Sequence, residues 1–125
     1  MSAHLTALFL SCIAMVEGYH GKPGRHGELG TYQMMPEVVA EVGSADYRGA
    51  VKHLHRLEIE FLEHDIEPSP YRLALAWNAG FTGSLHPPAA SVDYAKRVVN
   101  LYEDCVVLEA ANPAVRPSGA GTPGK

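Results

Sequence analysis

The chain has 125 residues, of which 46% are hydrophobic and 19% are charged, which is enough for one domain with one core and too few for two. A formal net charge of -4 argues against a nucleic-acid-binding protein and against a strongly cationic wall-binding protein, since both need a basic surface. No glycine-rich phosphate loop, Walker pattern or dinucleotide-binding fingerprint occurs, so we expect no cofactor.

The first predicted element is a helix over residues 4–17, part of which has the length of a signal peptide. No Lys or Arg precedes the apolar run, and no small-x-small cleavage site clearly follows it. The run is also too short to span a bilayer. We therefore interpret it as a buried first helix and expect neither an export signal nor a membrane span in this chain. Its apolar residues recur at helical spacing: Leu5, Leu8, Phe9, Cys12, Ile13 and Val16.

Glycine and proline predict the boundaries of the next two elements. Residues 18–30 contain five glycines and one proline, a composition typical of a loop. Residues 31–42 predict a short helix with Pro36 near its first turn, where a proline is tolerated.

Two longer helices are predicted in the middle of the chain. Asp46 is the expected N-cap of a helix from 47 to about 64. Ser69 and Pro70 are the expected cap and first residue of a helix that ends at Gly80.

The last predicted helix covers about 91–110 and follows a loop over 81–90. An apolar stripe marks its inner face. We expect residues 1–110 to form a single all-α domain of about five helices with no substantial sheet. Residues 111–125, rich in Pro, Gly and Ala, predict a disordered tail. The stripe comprises Tyr94, Val98, Leu101, Tyr102 and Cys105.

The two cysteines, Cys12 and Cys105, lie near opposite ends of the chain, each within an apolar helical pattern. One interpretation is a pair of buried free thiols that pack as small hydrophobic residues. The other is a disulfide that joins the first helix to the last, which would require an oxidising compartment. Sequence spacing does not decide between them.

Glu17 is the candidate catalytic residue. It ends an apolar helix immediately before the glycine-rich loop, where partial burial would raise the pKa of its carboxyl. A carboxyl that stays protonated near neutral pH can donate a proton to the leaving oxygen of a glycosidic bond. The alternative is an ordinary solvated glutamate, since a negative charge at a helix C-terminus opposes the helix dipole.

The end of the loop offers side chains suited to sugar binding. Gln33 carries a hydrogen-bond donor and an acceptor, and Tyr32 combines a flat ring with a hydroxyl. Gly30 suits a tight turn where backbone approaches a ligand. The alternative is a purely structural loop whose Met34 and Met35 fill the core.

Three motifs in order resemble the lytic transglycosylase branch of the lysozyme-like superfamily. They are the helix ending in Glu17 followed by Gly30-Thr31-Tyr32-Gln33-Met34-Met35-Pro36, then Ala76-Trp77-Asn78-Ala79-Gly80, then Tyr94-Ala95-Lys96-Arg97-Val98. The family patterns are Gly-Leu-Met-Gln-Ile-Met-Pro, Ala-Tyr-Asn-Ala-Gly and Tyr-Val-x-x-Val, and the match covers roughly residues 5–105. This chain departs from them at Thr31-Tyr32 and Trp77, and it has Gly18 where the family has Ser after its Glu.

The resemblance implies a lysozyme-like fold and cleavage of the β-1,4 glycosidic bonds of peptidoglycan strands at the cell envelope. It gives Glu17 the role of the catalytic acid, and Gln33 and Asn78 the role of substrate contacts in the cleft. It gives Tyr94 the role of the tyrosine that hydrogen-bonds the catalytic carboxyl. We expect a monomer whose partner is the glycan strand.

Glu28 leaves the reaction type open. Two carboxylates flanking the bond would suit hydrolysis, whereas the resemblance implies that one carboxyl acts first as acid and then as base, which yields an anhydro sugar. Glu28 is otherwise a solvated loop residue. A further alternative is a non-catalytic module that binds glycan or a partner and uses Glu17 only structurally.

The seven histidines do not predict a metal site. His53 and His55 are two residues apart and point to different sides of a helix. No His-Glu-x-x-His motif or Cys-His cluster occurs, so we expect no metal.

Overall fold

The computed structural model describes residues 1–111, and within them the predicted all-α fold is confirmed. This part of the chain contains no strand, only an isolated β-bridge between Leu29 and Met34. Of the predicted tail, Ala111 belongs to the last helix and residues 112–125 lie outside the described residues. The helices are α1 (Ala3–Glu17), α2 (Pro36–Val42), α3 (Tyr47–Glu63), α4 (Pro70–Leu85) and α5 (Ala89–Ala111).

The apolar N-terminal run forms α1, a helix of the core. It begins after Ser2, whose side-chain oxygen accepts a hydrogen bond from the Leu5 backbone N–H at 3.1 Å. It ends at Gly18, whose φ of 91° is a left-handed value that glycine adopts easily at a helix C-terminus. Among residues 1–111, none of the helices combines the length and apolarity needed to span a bilayer. Four α1 side chains are fully buried: Phe9, Leu10, Cys12 and Ile13.

The predicted helix over 31–42 is wrong in its first five residues, because α2 begins at Pro36. Leu29 and Met34 exchange two backbone hydrogen bonds, of 2.7 and 2.9 Å, and so close a turn between them. Gln33 in this turn has a φ of 50°, which is not helical. Met35 is extended, the conformation that a following proline favours. The bridge and the proline together prevent an earlier start.

The helical backbone of α4 is interrupted at Gly80, the residue where the helix was predicted to end, since Gly80 has the non-helical values φ 78° and ψ 165°. The predicted loop that follows is wrong in its first five residues, because a second helical segment continues to Leu85. This segment is held by packing: the rings of Phe81 and Phe61 lie 5.0 Å apart in an edge-to-face arrangement. Gly80 therefore separates two helical segments of α4. α5 then begins at Ala89, two residues before its predicted start.

α5 packs antiparallel to α1, and this pairing positions the candidate site. The rings of Phe9 and Tyr102 meet edge to face at 5.7 Å. Towards the other end of the pair, His4 Nε2 lies 2.5 Å from Glu109 Oε1. Because the helices run in opposite directions, the last residue of α1, Glu17, comes level with Tyr94 near the start of α5.

Cys12 and Cys105 face each other across the same α1–α5 contact and are free thiols. Cys12 is fully buried, whereas Cys105 is only partly buried. Burial, reinforced by the neighbouring Cys105 thiol, raises the pKa of Cys12 to about 12. A thiol with such a pKa holds almost no thiolate near pH 8, and the thiolate is the reactive form.

We therefore expect iodoacetamide to modify Cys105 in the folded protein under reducing conditions and to leave Cys12 unmodified. Peptide mass spectrometry after native labelling at pH 8 measures this directly. Labelling in denaturant should modify both residues, and a Cys105→Ser variant should take up no label until it is unfolded. Rapid native labelling of Cys12 would contradict its burial.

Candidate active site

Glu17 ends α1 with its carboxyl half-buried. Among residues 1–111, no group forms an ion pair with this carboxyl, and the Tyr94 hydroxyl is close enough to act on it as a hydrogen-bond donor. Burial raises the pKa of Glu17, while the nearby Tyr94 hydroxyl and, more weakly, Arg97 act in the opposite direction; Glu28 raises it further. The result is a carboxyl that keeps its proton to higher pH than an ordinary glutamate does, which suits a general acid.

A small polar cleft of about 70 Å³ opens in front of this carboxyl. Three of the predicted site residues, Glu28, Gln33 and Asn78, line it together with Glu17. Residues from α1, the loop and α4 therefore meet at one place, although they are far apart in sequence. The cleft is completed by Met35 and Trp77.

Gln33 lies in the cleft, but its amide nitrogen is already engaged. The Nε2 group donates hydrogen bonds to the backbone carbonyls of Lys22 at 2.9 Å and Gly30 at 2.8 Å. These bonds tie the loop to the turn that precedes α2. The Gln33 amide nitrogen is therefore not free to donate to a sugar, and the side-chain carbonyl oxygen is the group left for a ligand.

Asn78 is exposed on α4, and a residue of α5 holds its side chain in place. Its Oδ1 accepts a hydrogen bond from Ser91 Oγ at 2.7 Å, and Ser91 is buried. This contact leaves the side-chain NH₂ of Asn78 as its donor group at the cleft. Ser91 was not among the residues predicted from the sequence, and the only signal for it was its place on the inner face of the last helix.

Trp77 rather than Tyr32 provides the aromatic ring of the cleft. Trp77 forms a wall of the cleft, and its Nε1–H donates to the Tyr32 backbone carbonyl at 3.0 Å. The Tyr32 ring packs instead toward Tyr47 on α3, with ring centroids 6.5 Å apart. Tyr32 is not among the residues that line the cleft, so the structure does not place its ring as a sugar platform.

Tyr94 lies behind Glu17 rather than in the cleft. Its side chain is buried, and within the described residues its hydroxyl makes no hydrogen bond of regular geometry. Burial, followed by the charge of the neighbouring Glu17 and a hydrogen-bonding interaction with it, raises the pKa of Tyr94 well above its usual value. The hydroxyl thus lies beside the carboxyl and interacts with it as a donor, although the two groups are not aligned as a regular hydrogen bond.

Glu28 faces the same cleft from the loop but in a different electrostatic setting. Its Oε1 accepts a hydrogen bond from the His26 backbone N–H at 2.8 Å. Hydrogen bonds from its own backbone N–H and that of His26 lower the pKa of Glu28. The pKa of one carboxyl of the cleft is therefore raised and that of the other lowered, the kind of separation that acid–base pairs use.

Gly24 permits the close packing of this loop, and the sequence analysis did not single it out. A Cβ atom at position 24 would lie 2.4 Å from Glu28 Oε1 and 2.6 Å from Gln33 Oε1. Any larger residue would therefore displace two side chains of the cleft. The glycine-rich composition was the only signal, and it did not show which glycine mattered.

Neither a metal cluster nor a known relative identifies the site. Across residues 1–111, no three His, Cys, Asp or Glu side chains come together as metal ligands. Comparisons with protein-family models, with curated proteins and with solved structures find no match. The chemistry of the cleft has to be argued from its own residues.

Proposed function

We propose that this protein cleaves the β-1,4 glycosidic bonds of peptidoglycan strands, with Glu17 as the catalytic acid. The observation that carries the proposal is the Glu17 carboxyl itself: half-buried, without an ion-pair partner, raised in pKa and open to a polar cleft. The buried Tyr94 hydroxyl behind it adds support, since it interacts with this carboxyl and makes no regular hydrogen bond elsewhere in the described residues. The resemblance of the three sequence motifs supplies the substrate class.

The first step follows from the protonation state of Glu17. The protonated carboxyl donates its proton to the glycosidic oxygen, the bond from that oxygen to the anomeric carbon breaks, and positive charge develops on the sugar. The Asn78 NH₂ and the Gln33 carbonyl oxygen can hold hydroxyl or N-acetyl groups of the strand. The Glu17 carboxylate produced in this step is then a base.

The second step has two routes. In the route that the resemblance implies, the 6-hydroxyl of the same sugar attacks the anomeric carbon and gives its proton to Glu17, which leaves a 1,6-anhydro end. In the other, water attacks with help from a second carboxylate and leaves a reducing end. The lowered pKa of Glu28 in the same cleft is the specific observation that favours this hydrolytic alternative.

Digestion of purified peptidoglycan followed by mass spectrometry of the soluble fragments tests the proposal. We expect fragments that end in anhydro sugars, 18 Da lighter than the hydrolysis products. Fragments with reducing ends would instead establish the hydrolase. Binding to the insoluble strands without release of any fragment would contradict the enzyme and leave a glycan-binding module.

A further inference from the structure

Ser91, in the first turn of α5, is buried, and its hydroxyl reaches a side chain of another helix. Among residues 1–111, three buried side chains end in a Ser or Thr hydroxyl: Thr6, Ser84 and Ser91. The Ser84 hydroxyl donates to the Phe81 backbone carbonyl of its own helix at 2.6 Å, as serines within helices commonly do. Ser91 instead donates across the α4–α5 contact to Asn78 Oδ1 at 2.7 Å. This bond therefore connects the packed interior to a side chain that lines the cleft.

The bond determines how the Asn78 amide is presented. Asn78 is exposed, and the terminal torsion of an asparagine side chain has broad minima, so an unrestrained amide would sample many orientations there. With Oδ1 turned toward Ser91, the NH₂ group is the end of the amide that is available at the cleft. The hydroxyl thus fixes both the direction of the side chain and the choice between its donor end and its acceptor end.

The same part of α5 also acts on the candidate catalytic acid. Tyr94 follows Ser91 by three positions, so the two side chains lie on one face of the helix, and both are buried. The Tyr94 hydroxyl acts on the Glu17 carboxyl, and the Ser91 hydroxyl holds the Asn78 amide. The start of α5 therefore supports, from behind, two side chains that α1 and α4 contribute to the cleft.

We propose that Ser91 is a positioning residue for substrate binding, which holds the Asn78 amide with its NH₂ group turned toward the glycan strand. The inference rests on the proposed function, because the glycan is the ligand that this amide would contact. Ser91 itself touches no substrate and takes no part in the proton transfer at Glu17. An amide that is held in place before binding loses less freedom when the ligand arrives, so removal of the hydroxyl should weaken binding.

The test uses two buried serines as a matched pair. Ser91→Ala removes the hydroxyl that reaches Asn78, and Ser84→Ala removes a buried hydroxyl that forms one hydrogen bond but does not line the cleft. Asn78→Ala removes the amide, and the double variant Ser91→Ala/Asn78→Ala completes a double-mutant cycle. We expect the two serine variants to have similar thermal midpoints, so that a difference in substrate binding does not arise from a difference in folding.

The kinetic measurement is the cleavage of a peptide-free octasaccharide of peptidoglycan glycan. Ser91→Ala should raise KM by about tenfold, the scale of one hydrogen bond or one newly ordered side chain, and leave kcat close to the wild-type value. Ser84→Ala should match the wild type in both constants. In the Asn78→Ala background the Ser91 substitution should have no further effect, because the hydroxyl acts through that amide. An equal rise in KM in both backgrounds, or a fall in kcat alone, would overturn the positioning role.

A second measurement needs no substrate. The side-chain NH₂ group of Asn78 gives a pair of ¹H–¹⁵N NMR signals, which are assigned by their absence from Asn78→Ala. Relaxation of this nitrogen should show a rigid group in the wild type and in Ser84→Ala, and a group that is mobile on the ps–ns timescale in Ser91→Ala. Equal mobility in the wild type and Ser91→Ala would refute the positioning role even if the variant lost activity.

The outcomes separate this inference from the proposed function. If the wild type cleaves the octasaccharide and Ser91→Ala has an unchanged KM, the positioning role is refuted and the enzyme remains. If the wild type cleaves nothing, titration calorimetry with the same octasaccharide takes the place of the kinetic assay. Binding that is about tenfold weaker in Ser91→Ala would then support the positioning role without the enzyme. If the wild type neither cleaves nor binds the octasaccharide, both proposals are overturned.

Discussion

Replacing Glu17 by Gln is expected to lower the rate of peptidoglycan cleavage by about 100-fold or more, the usual contribution of a general acid. The amide keeps the size and shape of the side chain and removes the proton that the reaction needs. The rate of fragment release from purified peptidoglycan, at matched protein concentration, measures the effect. Full activity in this variant would show that the catalytic acid lies elsewhere.

The same substitution should not destabilise the fold. The pKa of Glu17 is higher in the folded chain than in the unfolded chain. The free energy of unfolding is therefore greatest at pH values below the unfolded-state pKa of Glu17, and it falls as the pH rises through the raised folded-state pKa, because the half-buried carboxyl must then ionise. Glutamine carries no such dependence. We expect the thermal midpoint of Glu17→Gln to equal or exceed that of the wild type at neutral pH, with the difference disappearing below the ordinary glutamate pKa.

Glu28→Gln is the matched control, an identical chemical change in the same cleft. If Glu17 acts alone, this variant should retain most of the activity, because the loop carboxylate takes no proton. A loss as large as that of Glu17→Gln would instead support the two-carboxylate hydrolase. The product ends found by mass spectrometry should then be reducing rather than anhydro.

Periodicity and capping residues predicted that each helix exists. They did not predict where α2 begins or that residues 81–85 are helical, because both depend on tertiary contacts. Asp46 and Ser69 accept the predicted N-cap hydrogen bonds, from Gly49 and Arg72. The start of α2 depends on the bridge between Leu29 and Met34, a pairing that Gly30 permits. A short apolar run beside a proline is compatible with either a helix or a turn as long as that pairing is not known.

The sequence predicted which residues meet at the candidate site, but not which of their atoms are free to bind a ligand. The motifs predicted that Gln33 and Asn78 share one cleft with Glu17, and the fold adds Glu28 to it. Which atom of an amide is free depends on its neighbours, and the bonds that occupy Gln33 Nε2 come from backbone carbonyls that no motif specifies.

The aromatic residues of the site show the same limit of sequence patterns. Tyr32 was predicted to bind sugar because it combines a flat ring with a hydroxyl, yet its ring packs toward Tyr47 of α3. Trp77, at the position of the family tyrosine, forms the wall of the cleft instead. Which ring lines the cleft depends on tertiary packing, which the residue types do not specify.

Tyr94→Phe is expected to change activity and stability in opposite directions. The substitution removes a buried hydroxyl that interacts with the Glu17 carboxyl but makes no hydrogen bond of regular geometry within the described residues, and it leaves the ring in place. Burial of a poorly satisfied hydroxyl costs on the order of 1 kcal/mol, so the variant should be at least as stable as the wild type. Thermal or urea unfolding at neutral pH measures this difference.

The activity of Tyr94→Phe should fall by about tenfold, equivalent to ~1.4 kcal/mol of barrier, because the carboxyl loses the dipole that positions it. The hydroxyl lowers the pKa of Glu17, so its removal should raise that pKa further. Since the acid must be protonated, the alkaline limb of the pH–rate profile should move to higher pH. The rate of fragment release measured across pH tests both effects together. An unchanged profile with reduced stability would mean that Tyr94 only packs the α1–α5 contact, and its place behind Glu17 would have no catalytic consequence.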